Sequence, residues 1–448
     1  MDVLGFFQRL CRYNFGDFDR EELKKYLRMG LIFSLIVGVY WTLRPLKDAL
    51  FIQYVGKIYL PYAKTVSLFA LVPLVMLYTK IVSRLSREKM LVFLPAFYGI
   101  TVIGFGLCVA YVPASVVQGY FFYVFVESFG SLVLASLFWA FATDTTDPES
   151  AKRGFPLVYA LGQFGGIVFP YTIGGLPHRL GCATDALSLF ILGLCILCII
   201  PCVRYFFRAT PASLIASYTG DSAVEAQEEP GFLEGLRMVV RHRYLLGIFT
   251  VISIYEIVVT IFDFNFKMEA GSVYSGVALS HYLSLYGSSV NVVSVLCLLL
   301  GISNITRFLG VGVALAAMPV IVGSALFGFL TLDSLTFLFI VMVGAKAINY
   351  ALNGPTLKQL YVPTTRDVRF KAQAWIETFG SRAAKEAGSV FNMSLGFLQS
   401  VFGSAAGKAY YVALSGALGF PLLGLWFLAA LFLGTTFRRT VREKSVVC

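Results

Sequence analysis

About twelve stretches of some twenty predominantly apolar residues recur along the chain, each long enough for a helix to cross the ~30 Å hydrocarbon core of a bilayer. They fall near 31–54, 60–82, 90–112, 116–142, 155–176, 183–206, 244–266, 282–302, 308–330, 334–360, 372–398 and 410–435. In lipid the backbone polar groups must be satisfied internally, so spanning segments are helices or strands of closed barrels. A barrel strand needs only about ten residues, and these runs are twice that length. Charged residues make up 14% of the 448 and hydrophobic residues 58%, where a soluble chain carries about 25% charged. The pattern predicts an all-α polytopic membrane protein.

Charge placement orients the spans. Arg20, Lys24, Lys25, Arg28, Lys80, Arg84, Arg87, Lys89, Arg204, Arg208, Arg237, Arg241, Arg366, Arg369, Arg438 and Arg439 all fall on one side if the amino terminus is cytoplasmic. The other side holds only Lys57, Lys64, Arg179, Lys267 and Lys408. Positive-inside reasoning therefore predicts both termini in the cytoplasm and absorbs most of the net charge of +11. The longest polar interruption, 207–243, includes Asp221, Glu225, Glu228, Glu229 and Pro230. It divides the chain into a cytoplasmic segment (1–30), a six-helix half (31–206), the cytoplasmic linker, a second six-helix half (244–435) and a cytoplasmic tail (436–448). A 6+6 arrangement is the major-facilitator layout, in which substrate binds between the halves near the midplane. The basic loop Ser83–Lys89 sits where that layout places a gate loop.

Several ionisable residues interrupt the apolar spans. Arg44-Pro45-Leu46-Lys47-Asp48 lies in the first, Glu127 in the fourth, Glu256 in the seventh, Lys346 in the tenth, and Arg382 and Lys385 in the eleventh. A charge near the bilayer centre costs roughly 2.5–3.5 kcal/mol on insertion scales and usually faces a polar cavity. Pro45 is expected to break the first helix locally and free a backbone group there. Local pairing by helical spacing, Arg44 with Asp48 and Arg382 with Glu386, is the competing structural account. Buried ion pairs seldom repay their desolvation, so a set spread over several spans points instead to a cationic site for an anionic, polyphosphate-bearing solute. Arg44, Lys47, Lys346, Arg382 and Lys385 would bind it, and Asp48, Glu127 and Glu256 would gate or couple.

Enzymatic chemistry has no motif here. Gly162-Gln163-Phe164-Gly165-Gly166 lacks the lysine of a phosphate loop and reads as close helix packing. Cys195, Cys198 and Cys202 have no histidine or acidic companion and read as packing residues. No metal, cofactor or nucleic-acid partner is predicted.

Three stretches carry a family resemblance. Leu43-Arg44-Pro45-Leu46-Lys47-Asp48-Ala49-Leu50 is similar to the L-R-x-x-K-D-x-L of the ATP/ADP translocases of plastids and obligate intracellular bacteria. Glu127-Ser128-Phe129-Gly130-Ser131, Phe138-Trp139-Ala140-Phe141-Ala142 and Glu149-Ser150-Ala151-Lys152-Arg153 resemble that family's E-x-x-G-S, W-x-F-A and E-A-K-R. Tyr361-Val362-Pro363, Lys371-Ala372 and Gly380-Ser381-Arg382 through Lys385 and Gly388-Ser389 resemble its Y-x-P, K-A and G-S-R-x-x-K-x-G-S. The resemblance implies exchange of ATP for ADP across a bacterial inner membrane, with Lys371 joining Lys47 and Glu127 among the functional charges. Two motifs depart from the pattern. Glu256 stands displaced from the E-V-T-W-K of span seven, and Thr356-Leu357-Lys358-Gln359 replaces T-K-E-M. Another nucleotide, a nucleotide-derived cofactor or another anionic metabolite stays open as substrate, as does a non-transporting membrane scaffold.

Overall fold

Where apolar runs predict spans, the chain forms helices. The computed structural model describes residues 18–82, 87–215, 232–300, 309–332, 334–443 and 445–447. Most of the gate-loop residues and the acidic stretch of the linker lie outside the described residues, as do residues 1–17 of the amino-terminal segment. Among the described residues there is no strand.

The helices of at least ten residues among the described residues are α1 (Arg20–Tyr54), α2 (Leu60–Val82), α3 (Arg87–Tyr111), α4 (Val116–Phe129), α5 (Pro148–Phe169), α6 (Ala186–Ala209), α7 (Phe232–Arg241), α8 (Arg243–Val273), α9 (Gly276–Leu299), α10 (Val311–Thr331), α11 (Leu335–Ile348), α12 (Arg366–Trp375), α13 (Ser381–Phe402) and α14 (Ser404–Glu443). Eleven segments among the described residues are long and apolar enough to cross a membrane. The run from α12 through α13 is continuous helix but carries Arg382, Lys385 and Glu386, which removes it from that set.

Local chemistry sets the boundaries. Ser115 and Gln118 form a reciprocal capping box at the start of α4, with bonds of 3.3 and 3.1 Å. Gly403, the one residue between α13 and α14, has φ +85°, a left-handed conformation that a side chain would disfavour. Pro45 does not break α1, which runs unbroken from Arg20 to Tyr54. Proline is tolerated in membrane helices because neighbouring groups take up the freed carbonyl.

Among the described residues four segments widen into π-helix: Gly130–Leu137, Pro170–Gly174, Asn349–Asn353 and Ile376–Gly380. Such turns are rare and concentrate at functional sites. Three of the four lie within three residues of a charge read in the sequence: Glu127, Lys346 and Arg382.

The chain divides into two compact units, with two of the five divisions falling inside α2 and α9. In unit 1 (1–56, 66–223 and 274–291) α1 packs along α5, α3 along α6, and α1 also meets α4 and α6. Glycine makes the α1–α5 approach possible. A Cβ on Gly165 would stand 2.1 Å from the Ser34 carbonyl oxygen, and one on Gly162 would stand 2.4 Å from the Phe33 ring. In unit 2 (57–65, 224–273 and 292–448) α8 packs on α11, α13 and α14, while α10 lies along α14. There Gly312 and Gly434 meet backbone to backbone.

Candidate substrate-binding site

Each unit buries a cluster of lysines and carboxylates inside its helices. In unit 1 the centre is Lys47, 2% exposed on α1. Its Nζ lies 2.8 Å from Asp48 Oδ1 and 3.1 Å from Glu127 Oε1 of α4. The same ammonium stands 3.6 Å from the centroid of the Tyr123 ring, so an aromatic face completes its surroundings. Arg44, one turn earlier, has its guanidinium 5.6 Å from the Trp41 ring. Glu127 is held where α4 gives way to the π-helical turn, and Gly130 leaves room there for the Tyr40 ring.

In unit 2 the centre is a carboxylate. Asp263 Oδ1 lies 2.7 Å from Lys346 Nζ of α11, and Oδ2 lies 2.6 Å from Lys267 Nζ and 3.6 Å from Lys64 Nζ. Asp263, Lys267 and Lys346 are each less than a tenth exposed. One carboxylate thus divides its charge among three ammonium groups. The opposite face of α8 is polar too. Asn265 Nδ2 donates to the Tyr411 hydroxyl at 3.3 Å, which donates to Asn392 Oδ1 at 2.6 Å. This chain anchors α8 against α13 and α14 on the side away from Asp263 and Lys267.

A third group lies at the start of α13. Glu256 accepts from Ser381 Oγ at 3.1 Å and is 3.5 Å from Lys385 Nζ, whose side chain is half exposed. The Arg382–Glu386 pair expected from spacing is not made. Glu386 accepts from Thr65, and half-buried Arg382 has no hydrogen bond or ion pair among the described residues. Lys371 pairs with Glu234 of α7 at 2.6 Å, and by rise per residue it sits about 20 Å along the helix from Lys385. Tyr361 of the Y-x-P stretch is buried, which pushes its phenol well above the ordinary tyrosine value, and Glu377 acts in the same direction.

The TLC ATP/ADP transporter family model matches residues 7–118 and 115–437, nearly the whole chain. The chain belongs to this family. ADP,ATP carrier protein 1 of Rickettsia conorii is 22% identical, with 95% of each chain covered. The plastidic ATP/ADP-transporter of Solanum tuberosum is 25% identical over 95% of this chain and 75% of its own length. Among solved structures, a nucleoside transporter superposes with TM-score 0.62 at 13% identity, covering 90% of this chain and 99% of its own. A D-xylose-proton symporter gives TM-score 0.56 at 16% identity, covering 91% and 95%. The solved structures show that the fold is shared with these membrane transporters, and the family match makes the chain a multi-pass membrane transporter.

For a TLC-family chain, the geometry revises one motif. The E-x-x-x-K spacing of span seven is met by Asp263-Phe264-Asn265-Phe266-Lys267, whose end residues form an i,i+4 ion pair. This stretch shares the acid-to-lysine spacing of that motif, with aspartate in the place of glutamate and Phe-Asn-Phe between. Sequence reasoning passed over Asp263, Lys64 and Lys267 because the two lysines fall near span ends and were read as outer-side charges. The spacing Asp-x-x-x-Lys was the available signal.

Proposed function

We propose that this TLC-family chain exchanges ATP for ADP across a bacterial inner membrane, with both termini cytoplasmic and the site open to one side at a time. The observation that carries this reading is the Asp263 cluster, three lysines on one carboxylate, two of them buried with it among the helices. An uncharged solute would give no reason to assemble it, whereas a phosphate would draw on several clustered ammonium groups at once. Lys47, with Arg44 beside it, offers a second cationic point, and Arg382 and Lys385 a third. Asp48, Glu127, Glu256 and Asp263 act as internal counter-ions, occupying the cations while no phosphate is bound. That competition ties substrate arrival to breaking of ion pairs, the kind of differential contact that can bias a conformational equilibrium.

The test is counterflow in proteoliposomes. Vesicles loaded with ADP are expected to take up labelled ATP, and unloaded vesicles are not. Uptake that is indifferent to internal nucleotide would overturn exchange. A second reading, exchange of another nucleotide or anionic metabolite, is favoured by aspartate at position 263 and by Thr356-Leu357-Lys358-Gln359, where Lys358 pairs with Glu377. A panel of nucleoside di- and triphosphates inside the same vesicles separates the two.

A further inference from the structure

Helix α7 is short, amphipathic and doubly striped. Gly235 and Val239, four residues apart, form its inner face, with Val239 1% exposed. A Cβ on Gly235 would meet Trp375 Cβ at 2.7 Å and the Lys371 carbonyl oxygen at 3.0 Å, so α7 lies hard against α12. The Glu234–Lys371 pair fixes its first turn at 2.6 Å. The outer face carries two parallel i,i+4 rows. Leu236 and Val240 form one, with Val240 65% exposed, and the exposed Arg237 and Arg241 form the other. These four residues line an open groove of about 640 Å³. Neither arginine has a hydrogen bond or ion pair among the described residues.

Chain connectivity places this groove at the membrane boundary. Arg241 lies two residues before Arg243, where the apolar, membrane-length α8 begins. We infer that α7 holds an anionic phospholipid, its headgroup phosphate between Arg237 and Arg241 and its acyl chain over Leu236 and Val240. Charge complementarity and geometry argue for this occupant together. Side chains at i and i+4 stand as neighbours on a helix, close enough for two guanidinium forks to share one phosphate. An apolar row beside a basic row suits a lipid, which has both parts, and a free anion would leave Leu236 and Val240 in water. The inference stands apart from the nucleotide reading, since none of its residues belongs to the clusters around Lys47 or Asp263.

The experiment is thermal unfolding of the full chain in detergent, titrated with phosphatidylglycerol, phosphatidylcholine or inorganic phosphate. Phosphatidylglycerol is expected to raise the midpoint well above phosphatidylcholine. The Arg237→Gln/Arg241→Gln variant should weaken its apparent affinity about 25-fold, roughly fivefold per arginine. Val240→Ser should weaken it less while leaving the anionic preference intact. Equal shifts from the two lipids, or an unchanged titration in the double variant, would overturn the inference. So would an equal shift from inorganic phosphate, which would assign the groove to a free anion. An ATP-induced shift retained in the double variant keeps any failure here distinct from failure of the exchange reading.

Discussion

Replacing Asp263 with asparagine keeps the side chain's shape and removes the negative charge that Lys346, Lys267 and Lys64 share at 2.7, 2.6 and 3.6 Å. At the effective dielectric of about 20 that suits protein sites, an ion pair near 4 Å is worth ~4 kcal/mol, so the two close contacts alone represent ~8 kcal/mol gross. Much of that sum offsets desolvation. The net cost of leaving a buried pair with one partner is about 3–5 kcal/mol. At roughly 1–2 °C per kcal/mol, scaled down for a chain longer than those calibrated, the ligand-free midpoint should fall by about 5 °C. Phosphate binding should move the opposite way, because the Asp263 carboxylate then no longer competes for the ammonium groups. If only ~1.4 kcal/mol of the lost pairing is recovered on binding, ATP affinity rises tenfold. Exchange should meanwhile slow, since release now lacks the returning counter-ion. The assay is thermal unfolding with and without ATP, paired with counterflow on the same preparation. Asp263→Glu, which keeps the charge, should restore the midpoint. An Asp263→Asn variant with unchanged midpoint and unchanged ATP shift would show that the lysines draw their compensation from elsewhere and would remove Asp263 as their shared counter-ion.

Three further outcomes are expected. Lys47→Ala should abolish counterflow and lower the midpoint, since Asp48 and Glu127 lose an ammonium at 2.8 and 3.1 Å, whereas Lys47→Arg should keep the fold and part of the exchange. Arg382→Gln should leave stability within about 0.5 kcal/mol, having no polar partner among the described residues to lose, yet cut counterflow at least tenfold; wild-type exchange in this variant would remove Arg382 from the site. Gly165→Ala should destabilise unit 1 by about 1–3 kcal/mol or more, read as a lower midpoint, because its Cβ would stand 2.1 Å from the Ser34 backbone oxygen, which cannot move without α1.

The spans were legible because length and apolarity are written residue by residue, and backbone satisfaction in lipid then leaves little choice of element. Lys47 and Glu127 were legible as an anomaly, two charges deep in apolar runs, although nothing in the spacing could say that they meet each other. That contact depends on how α1 and α4 pack, which a single chain does not display. Pro45 was misread for a related reason. Proline's cost in a helix is local, but its relief comes from tertiary neighbours, so α1 passes through it unbroken. The π-helical turns left only faint marks, Gly130-Ser131, Gly354-Pro355 and Gly380-Ser381, at or just past their ends.

The lysines read as outer-side charges teach the most about the limits of topology rules. Lys57, Lys64, Lys267 and Lys408 were grouped only by the side of the membrane their positions implied. In the fold all four direct their ammonium groups to one stretch of α8. Lys64 and Lys267 meet Asp263, Lys57 meets Ser272 and the Met268 carbonyl at 3.4 Å, and Lys408 meets Glu269 at 2.5 Å. A rule that counts charges per loop is blind to such convergence, because it assigns each lysine to water. The energetic distinction lies in burial. Lys408 and Glu269 are exposed enough that their pair is worth little, about 0–1 kcal/mol. Lys267, Lys346 and Asp263 are not, and keeping them inside an apolar helix bundle is costly unless the charges serve a task that a leucine could not. Removing the whole buried set, Asp263→Leu with Lys267→Met and Lys346→Met, should therefore leave a chain at least as stable as the wild type and unable to exchange. A stable triple variant that still exchanged ATP for ADP would reduce the cluster to an accident of packing.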